Sequence, residues 1–406
     1  MNIKLMTRRP CPFCGGKLIG IGWGEEKARR RDGSIEGKEW CSVICRGCSA
    51  RGPSCWSEDD AWNGWNARSW LYNFGMTIRT IDLFAGIGGI RLGFERACRR
   101  AGIDHECVFA SDVSKNACKV YRANFGASPD PLCDITTVPP AEVPDFDVAL
   151  AGFPCQSFSI SGMKKGFDDV RGTLFFNLAK VLEVKKPKAF LFENVKHLIH
   201  HDGGRTLGRI MEVLAGLGYN ASWKMLNSRN FGVPQNRPRV YIVGFRGFGG
   251  GFDWPVSTDK GKRLRDILEV GADEKYFISR KYWEWLKRHR ARHEEKGNQF
   301  GYVVRKGDGV SGTILCGGMG TERNLVVDMA TTIANPETND EGIRRMTPTE
   351  WERLQGLDGR WTSCVSDTSR MDLLGNSVTV NVIEAVSVAM LAEISNPVRL
   401  EVSLFG

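Results

Sequence analysis

Hydrophobic positions along this chain fall into short strand-like runs separated by glycine turns and helical stretches. Ile78-Arg-Thr-Ile-Asp-Leu-Phe84 alternates and is rich in β-formers. Ala85-Gly-Ile-Gly-Gly89 then breaks the run, and Ile90 to Ala97 places apolar residues at helical spacing. Strand, glycine turn and helix form the opening unit of a nucleotide-binding α/β sheet. The glycines read G-x-G-G, so the dinucleotide fingerprint G-x-G-x-x-G is not met. Further strands are predicted at 107–112, 145–150, 189–192 and 240–244, and helices at 173–184 and from Pro348, with Thr347 as N-cap.

Several of these strands end in chemically useful residues. The strand at 107–112 closes on Asp112, about 25 residues after the glycines, where a ribose diol is gripped. A helix N-cap is the plainer role for the same residue. Cys133-Asp134-Ile135 offers a polar and an apolar group at the next strand edge, suited to an adenine. The run 145–150 stops at Gly152-Phe-Pro154, which cannot continue a sheet interior, and leaves Cys155 in a Ser- and Gly-rich loop at the ligand-binding edge. A cysteine alone is more often a small buried hydrophobe. Glu193 ends the 189–192 strand at the same edge, where burial would keep a carboxyl protonated and able to donate. Arg237 and Arg239 lead into the strand from Val240. Gly162 to Gly172 forms a basic, glycine-hinged segment suited to closing over a phosphate backbone.

Composition then narrows the class. With 406 residues, 42% hydrophobic and 25% charged, the chain has room for two or three cored domains. No apolar run reaches the ~18 residues of a membrane span and no secretory signal opens the chain, so the expected location is cytoplasmic, without membrane association. Thirteen cysteines, an odd number, point to a reducing compartment rather than a disulfide framework. A net charge of +9 suits a polyanionic partner. The basic stretch 281–292, with Lys287, Arg288 and Arg290, is a candidate phosphate-binding face, or simply a solvated one.

Before residue 77 the composition differs. Cys11-Pro-Phe-Cys14 and Cys45-Arg-Gly-Cys48 are two C-x-x-C knuckles, the ligand set of a closed tetrahedral structural zinc site, with Cys41 an alternative ligand. Residues 1–76 carry 12 Lys and Arg against 8 Asp and Glu, so this module could clamp DNA or dock a protein. Its CPFCG opening and the Trp62-Asn-Gly-Trp-Asn-Ala-Arg68 close resemble Lar-type restriction-alleviation zinc ribbons.

From residue 77 onward the ordered motifs DLFAGIGG, GFPCQSFSISG, ENV, QNRPR, RRMTPTEWERLQG and GNSVTVNV resemble the DNA (cytosine-5)-methyltransferases of bacteria and phages. The resemblance implies an α/β fold: a Rossmann-like S-adenosylmethionine-dependent methyltransferase sheet with an inserted target-recognition domain, here behind a small N-terminal zinc ribbon. The implied layout is a ribbon at 1–72, a catalytic domain at 77–244 and 341–406, and a recognition domain at 245–340. In it Thr313 belongs to a threonine-isoleucine element that positions the recognition loops. Cys155 would be the nucleophile, Glu193 the acid at ring nitrogen 3, and Arg239 the group holding the base. The cofactor would lie among Phe84, Gly86 and Gly88, with Asp112 on the ribose, Asp134 and Ile135 at the adenine, and Asn376, Ser377 and Val378 closing the pocket. Asp112 stands where Glu is common in the family, a shorter reach for the same contact. Double-stranded DNA is the implied substrate of a monomer, in restriction-modification or phage protection, with a cognate endonuclease acting separately. Two rival classes are a non-catalytic restriction-alleviation decoy and a tRNA methyltransferase built on the same core.

Overall fold

The computed structural model describes residues 77–154, 174–247, 251–257, 261–298, 300–317 and 320–394, with the backbone of two earlier strands. Those strands, β1 (Ile19–Arg29) and β2 (Ile35–Cys45), pair antiparallel as a hairpin. Cys155, Cys11, Cys14 and Cys48 lie outside the described residues, and of Cys45 only the backbone is described.

The core is a six-stranded sheet. Its strands are β3 (Thr77–Leu83), β4 (Asp104–Ser111), β5 (Val148–Ala151), β6 (Ala189–Val195), β7 (Tyr219–Asn227) and β8 (Pro238–Arg246), in the order β4-β3-β5-β6-β8-β7. The first four are parallel, as the βα rhythm predicts, but β8 runs antiparallel to both β6 and β7. Reversal brings the start of β8 to the carboxyl edge of the parallel strands.

Alternation along each strand feeds two cores. Ile81, Leu83, Ala149, Phe190, Phe192 and Ile242 face one side, while Ile78, Val148, Leu150, Leu191, Tyr241 and Val243 face the other. The first side is covered by α3 (Leu174–Lys185) and α4 (Arg205–Gly216), after α1 (Gly89–Ala101) and α2 (Lys115–Phe125) in the chain. The second is covered by α1 and by the last helix of the chain. A Cβ on Gly93 of α1 would come within 2.6 Å of Ile383, so glycine is what lets these two helices approach so closely.

Residues 261–345 add α5 (Arg280–Glu295) and a small sheet of β9 (Val304–Arg305), β10 (Leu325–Val327) and β11 (Ile343–Arg344), which runs past residue 340. Arg344 is fully buried and held by Asp328 and Glu350. The chain then returns through α6 (Pro348–Leu354), α7 (Asp367–Asn376) and α8 (Val380–Ile394). Thr347 caps α6 as expected, in a capping box with Glu350. By length and apolarity alone 367–394 could cross a membrane, but Ser377-Val-Thr379 divides it and the apolar positions of α8 pack on the sheet.

One sequence expectation needs correction here. Cys133-Asp134-Ile135 is not at a strand edge: Asp134 caps a short 3-10 turn at Ile135–Thr137. On α5, Lys287 is paired with Glu284 and Glu341, and Arg290 with Glu294 while it stacks over Tyr302. These exposed ion pairs are the partners of Lys287 and Arg290 in the absence of DNA. Arg288 is exposed and has no ion pair among the described residues.

Asp82 is a buried acid inside this sheet, with the Arg91 guanidinium and the Tyr121 hydroxyl as polar neighbours. Burial pushes its pKa up from 3.8 to about 8, against the pull of Arg91. A carboxyl with a raised folded-state pKa contributes stability that is full below the unfolded value and lost as pH rises through the folded one. Asp82→Asn should therefore flatten the fall in melting temperature between about pH 5 and pH 9. Thermal melts of wild type and variant that stay parallel across that range would show that this carboxyl does not titrate there.

Candidate active site

At the carboxyl edge of the sheet lies a cleft of about 230 Å³. Its lining includes Phe84, Gly86, Asp112, Glu193, Asn376, Ser377 and Val378, residues scattered over nearly 300 positions of sequence. The glycine turn after β3 forms the floor. Gly86 has φ +54°, and a Cβ there would project into open space, so a side chain would both strain the turn and narrow the cleft. Gly89 touches the opposite wall: its Cβ would sit 2.8 Å from Val378 Cγ2. Gly88 does not line the cleft. It enters α1 at φ +81°, and the Phe125 ring occupies the space a side chain would need. Gly89 and Ile90 open α1 at the cleft, so the positive end of that helix faces any bound carboxylate.

Asp112 is not the cap of α2; Ser114 fills that position. Instead one Asp112 oxygen accepts from the Gly86 N–H at 2.8 Å and the other from the Ser114 N–H at 2.8 Å. The carboxylate thus clamps the glycine turn to the end of β4, and each oxygen keeps a lone pair for a hydroxyl. Asp134 and Ile135 are not among the lining residues. Asp134 spends its carboxylate on Thr136, and Ile135 borders a separate hollow with Thr136, Pro140 and Lys180.

Glu193 stands on β6 opposite Tyr241, and Arg239 stands opposite Val195. Two residues apart on antiparallel neighbours, Glu193 and Arg239 share a face and meet diagonally. Arg239 Nε lies 3.2 Å from Glu193 Oε1, with both side chains about 11% exposed. Burial drives the Glu193 pKa up, and the charges of Arg239 and Arg237 only partly offset it. The arrangement sets a carboxyl made a weaker acid by burial beside a buried guanidinium. Asn194 donates to the Phe153 carbonyl, tying β6 to the segment leading into Cys155.

Sequence reading missed the polar struts behind this site. Gln235, Gln355, Thr379 and Arg237 are all buried and interlinked, joining segments more than 100 residues apart. The only hint was the polar run Gln235-Asn-Arg237 directly before an apolar strand.

Residues 78–392 match the C-5 cytosine-specific DNA methylase family. The chain is similar to the Type II methyltransferase M.HpaII of Haemophilus parainfluenzae, 46% identical over 329 residues, covering 78% of this chain and 90% of that protein. It is also similar to the Type II methyltransferase M.NlaX of Neisseria lactamica, 42% identical over 318 residues, covering 78% and 97%. Among solved structures, the Entamoeba histolytica methyltransferase EhMeth superposes with a TM-score of 0.62 at 18% identity over 78% of this chain and 99% of that one. The S. pombe Dnmt2 methyltransferase gives a TM-score of 0.60 at 23% identity over 79% of this chain and 99% of that one. These two likenesses speak to the fold alone.

Removing the Asp112 carboxylate would free two backbone donors and loosen the glycine turn. Charge-assisted bonds of this kind are worth ~1.5–3 kcal/mol, so Asp112→Ala should weaken S-adenosylhomocysteine binding about 10- to 150-fold. Calorimetric titration checks this, and an unchanged affinity would place the cofactor contact elsewhere.

Proposed function

The chain belongs to the C-5 cytosine-specific DNA methylase family, and from that premise we propose how its own residues methylate a cytosine swung out of duplex DNA. The observation that carries the reading is the buried Glu193–Arg239 pair beside a cleft floored by the glycine turn. Such a cleft, with an open glycine floor, a helix N-terminus and a hydroxyl-accepting carboxylate, fits S-adenosylmethionine. Phe84, Gly86, Asp112, Asn376, Ser377 and Val378 would hold it. When bound, it supplies an electrophilic methyl group on a sulfonium.

Carbon-5 of cytosine is too weak a nucleophile to take that methyl unaided. The Cys155 thiolate adds to carbon-6 and breaks the ring's aromaticity. Electron density moves to ring nitrogen 3, where the neutral Glu193 carboxyl donates its hydrogen. Arg239 meets the charge on the carbonyl oxygen and, through its bond to Glu193, fixes that side chain's direction. After transfer, carbon-5 loses its proton and the bond to Cys155 breaks, restoring the ring. The target must leave the duplex stack to be reached in this way.

Duplex DNA is the favoured substrate because the relatives of high identity are Type II methyltransferases. The biological role we propose is protection of DNA in restriction-modification or during phage infection. A decoy would have no use for the Glu193–Arg239 pair. At the other end of the chain, the hairpin register pairs Ile19 with Cys45, and the two C-x-x-C spacings support the proposal that Cys11, Cys14, Cys45 and Cys48 hold one structural zinc ion.

Cys155→Ser should abolish methyl transfer while S-adenosylhomocysteine and DNA still bind. Duplex DNA carrying 5-fluorocytosine should trap the wild type as a covalent adduct mapping to Cys155 by peptide mass spectrometry. Turnover by the Ser variant at wild-type rate would sink the mechanism.

Glu193 must be neutral to donate, and its pKa is raised. On the alkaline side kcat should therefore fall as pH rises through that value, and Glu193→Gln should be slower but lack this limb. An identical alkaline limb in the Gln variant would assign the titration to another group.

A further inference from the structure

Arg237 is fully buried yet lies two residues from the Arg239 that reaches the reacting base in the proposed mechanism. Its guanidinium makes no ion pair among the described residues. Its Nε has no partner among them either, and its two terminal nitrogens serve three carbonyls: Nη1 donates to Ile314 at 2.9 Å, and Nη2 to Gly375 at 3.0 Å and Ser377 at 2.5 Å. Those carbonyls come from two functionally different stretches. Ile314 roots the segment 311–317 of the insert, while Gly375 and Ser377 flank Asn376, and Asn376 and Ser377 line the cofactor cleft.

The surrounding contacts reinforce this arrangement. Gln235 accepts from the Ile314 N–H, so both backbone groups of Ile314 are held by side chains from the segment entering β8. Thr313 donates to the Asn236 carbonyl. Gln355 donates to the Ser377 carbonyl as well as to Leu374. Segment 311–317 also packs directly on the end of α7 beside the cleft-lining Asn376: a Cβ at Gly375 would meet the Cys316 backbone nitrogen at 2.5 Å. Cys316 Sγ reaches Asn376 Oδ1 at 3.2 Å.

A buried cation with no counter-charge in contact is costly to keep, and burial with Arg239 nearby lowers the Arg237 pKa to about 9. An apolar residue of similar size would fill the space more cheaply but could not grip two segments at once.

We propose that Arg237 is a positioning residue that couples the DNA-reading insert to the cofactor cleft, so that binding at one is felt at the other. The inference rests on the methyltransferase reading only for what the two sites bind. Any movement of the insert on DNA pulls on Ile314, and through the single guanidinium on Gly375 and Ser377. The clasp requires a planar fork with several donors, which lysine lacks.

The test is S-adenosylhomocysteine affinity, measured calorimetrically on the full chain with and without plasmid DNA from a methylation-deficient host. In the wild type, DNA should change that affinity by about 5-fold or more, within the usual range of coupling between sites. Arg237→Lys should bring the ratio close to one and raise the KM for S-adenosylmethionine. Because the readout is equilibrium binding, it is independent of whether Cys155 and Glu193 perform the chemistry. A Lys variant that keeps the wild-type ratio overturns the proposal. So does a variant that loses both affinities and melting temperature in proportion, with the ratio intact, since that marks a core prop only. Gly375→Ala gives a second reading that leaves Arg237 in place, and decides alone if the Lys variant does not fold. Its methyl group should push the 311–317 segment off the end of α7 and lower the coupling ratio, and undiminished coupling in it refutes the clasp.

Discussion

The diagonal contact between Glu193 and Arg239 is the constraint on which the site depends, and it exists because one strand is reversed. In a sheet with every strand parallel, the residues entering β8 would lie at the edge opposite the cleft. Antiparallel pairing with β6 puts Val195 across from Arg239, and the pleat then sets Glu193 and Arg239 on one face. The same reversal delivers Gln235 and Arg237 to the carboxyl edge, where the insert and the closing helices are waiting. One change of direction therefore supplies a donor, a cation and a clasp.

Two opposing effects set the state of Glu193. Loss of solvent disfavours its charge, and the two nearby guanidinium groups favour it, with burial the larger. The result is a weakened acid beside a cation already in place, which in the proposed mechanism spares reorganisation when charge develops on the base. The glycine turn contributes rigidity of a different kind: Asp112 pins its Gly86 amide, and Val378 closes against Gly89.

Local signals in the sequence were read well, and long-range ones were not. The alternation of 78–84 and the glycines after it announce β3, the turn and α1, since each depends on neighbours within a few residues. Glu193 at an apolar strand end and Thr347 before Pro348 are legible for the same reason. The direction of β8 is not, because antiparallel pairing is decided by partners far away in the chain. Nor could sequence show that Asp112 faces backward onto Gly86, or that Lys287 and Arg290 are already paired. The Arg237 clasp joins residues 77 to 140 positions apart, and nothing local distinguishes it from a surface arginine. For Asp134 and Ile135 the sequence suggests a strand edge, and the chain forms a 3-10 turn there instead.

The account stands on a neutral Glu193 beside Arg239, and infrared difference spectroscopy of the carboxyl stretch reads that state directly. Wild type minus Glu193→Gln should show a protonated carboxylic acid band whose titration midpoint lies above the ordinary 4.5 of a glutamate. Arg239→Met should move that midpoint further up, since it removes the charge that opposes burial. A band that titrates at or below 4.5 in wild type would mean that the ion pair outweighs burial, and that Glu193 is a carboxylate with no proton to give.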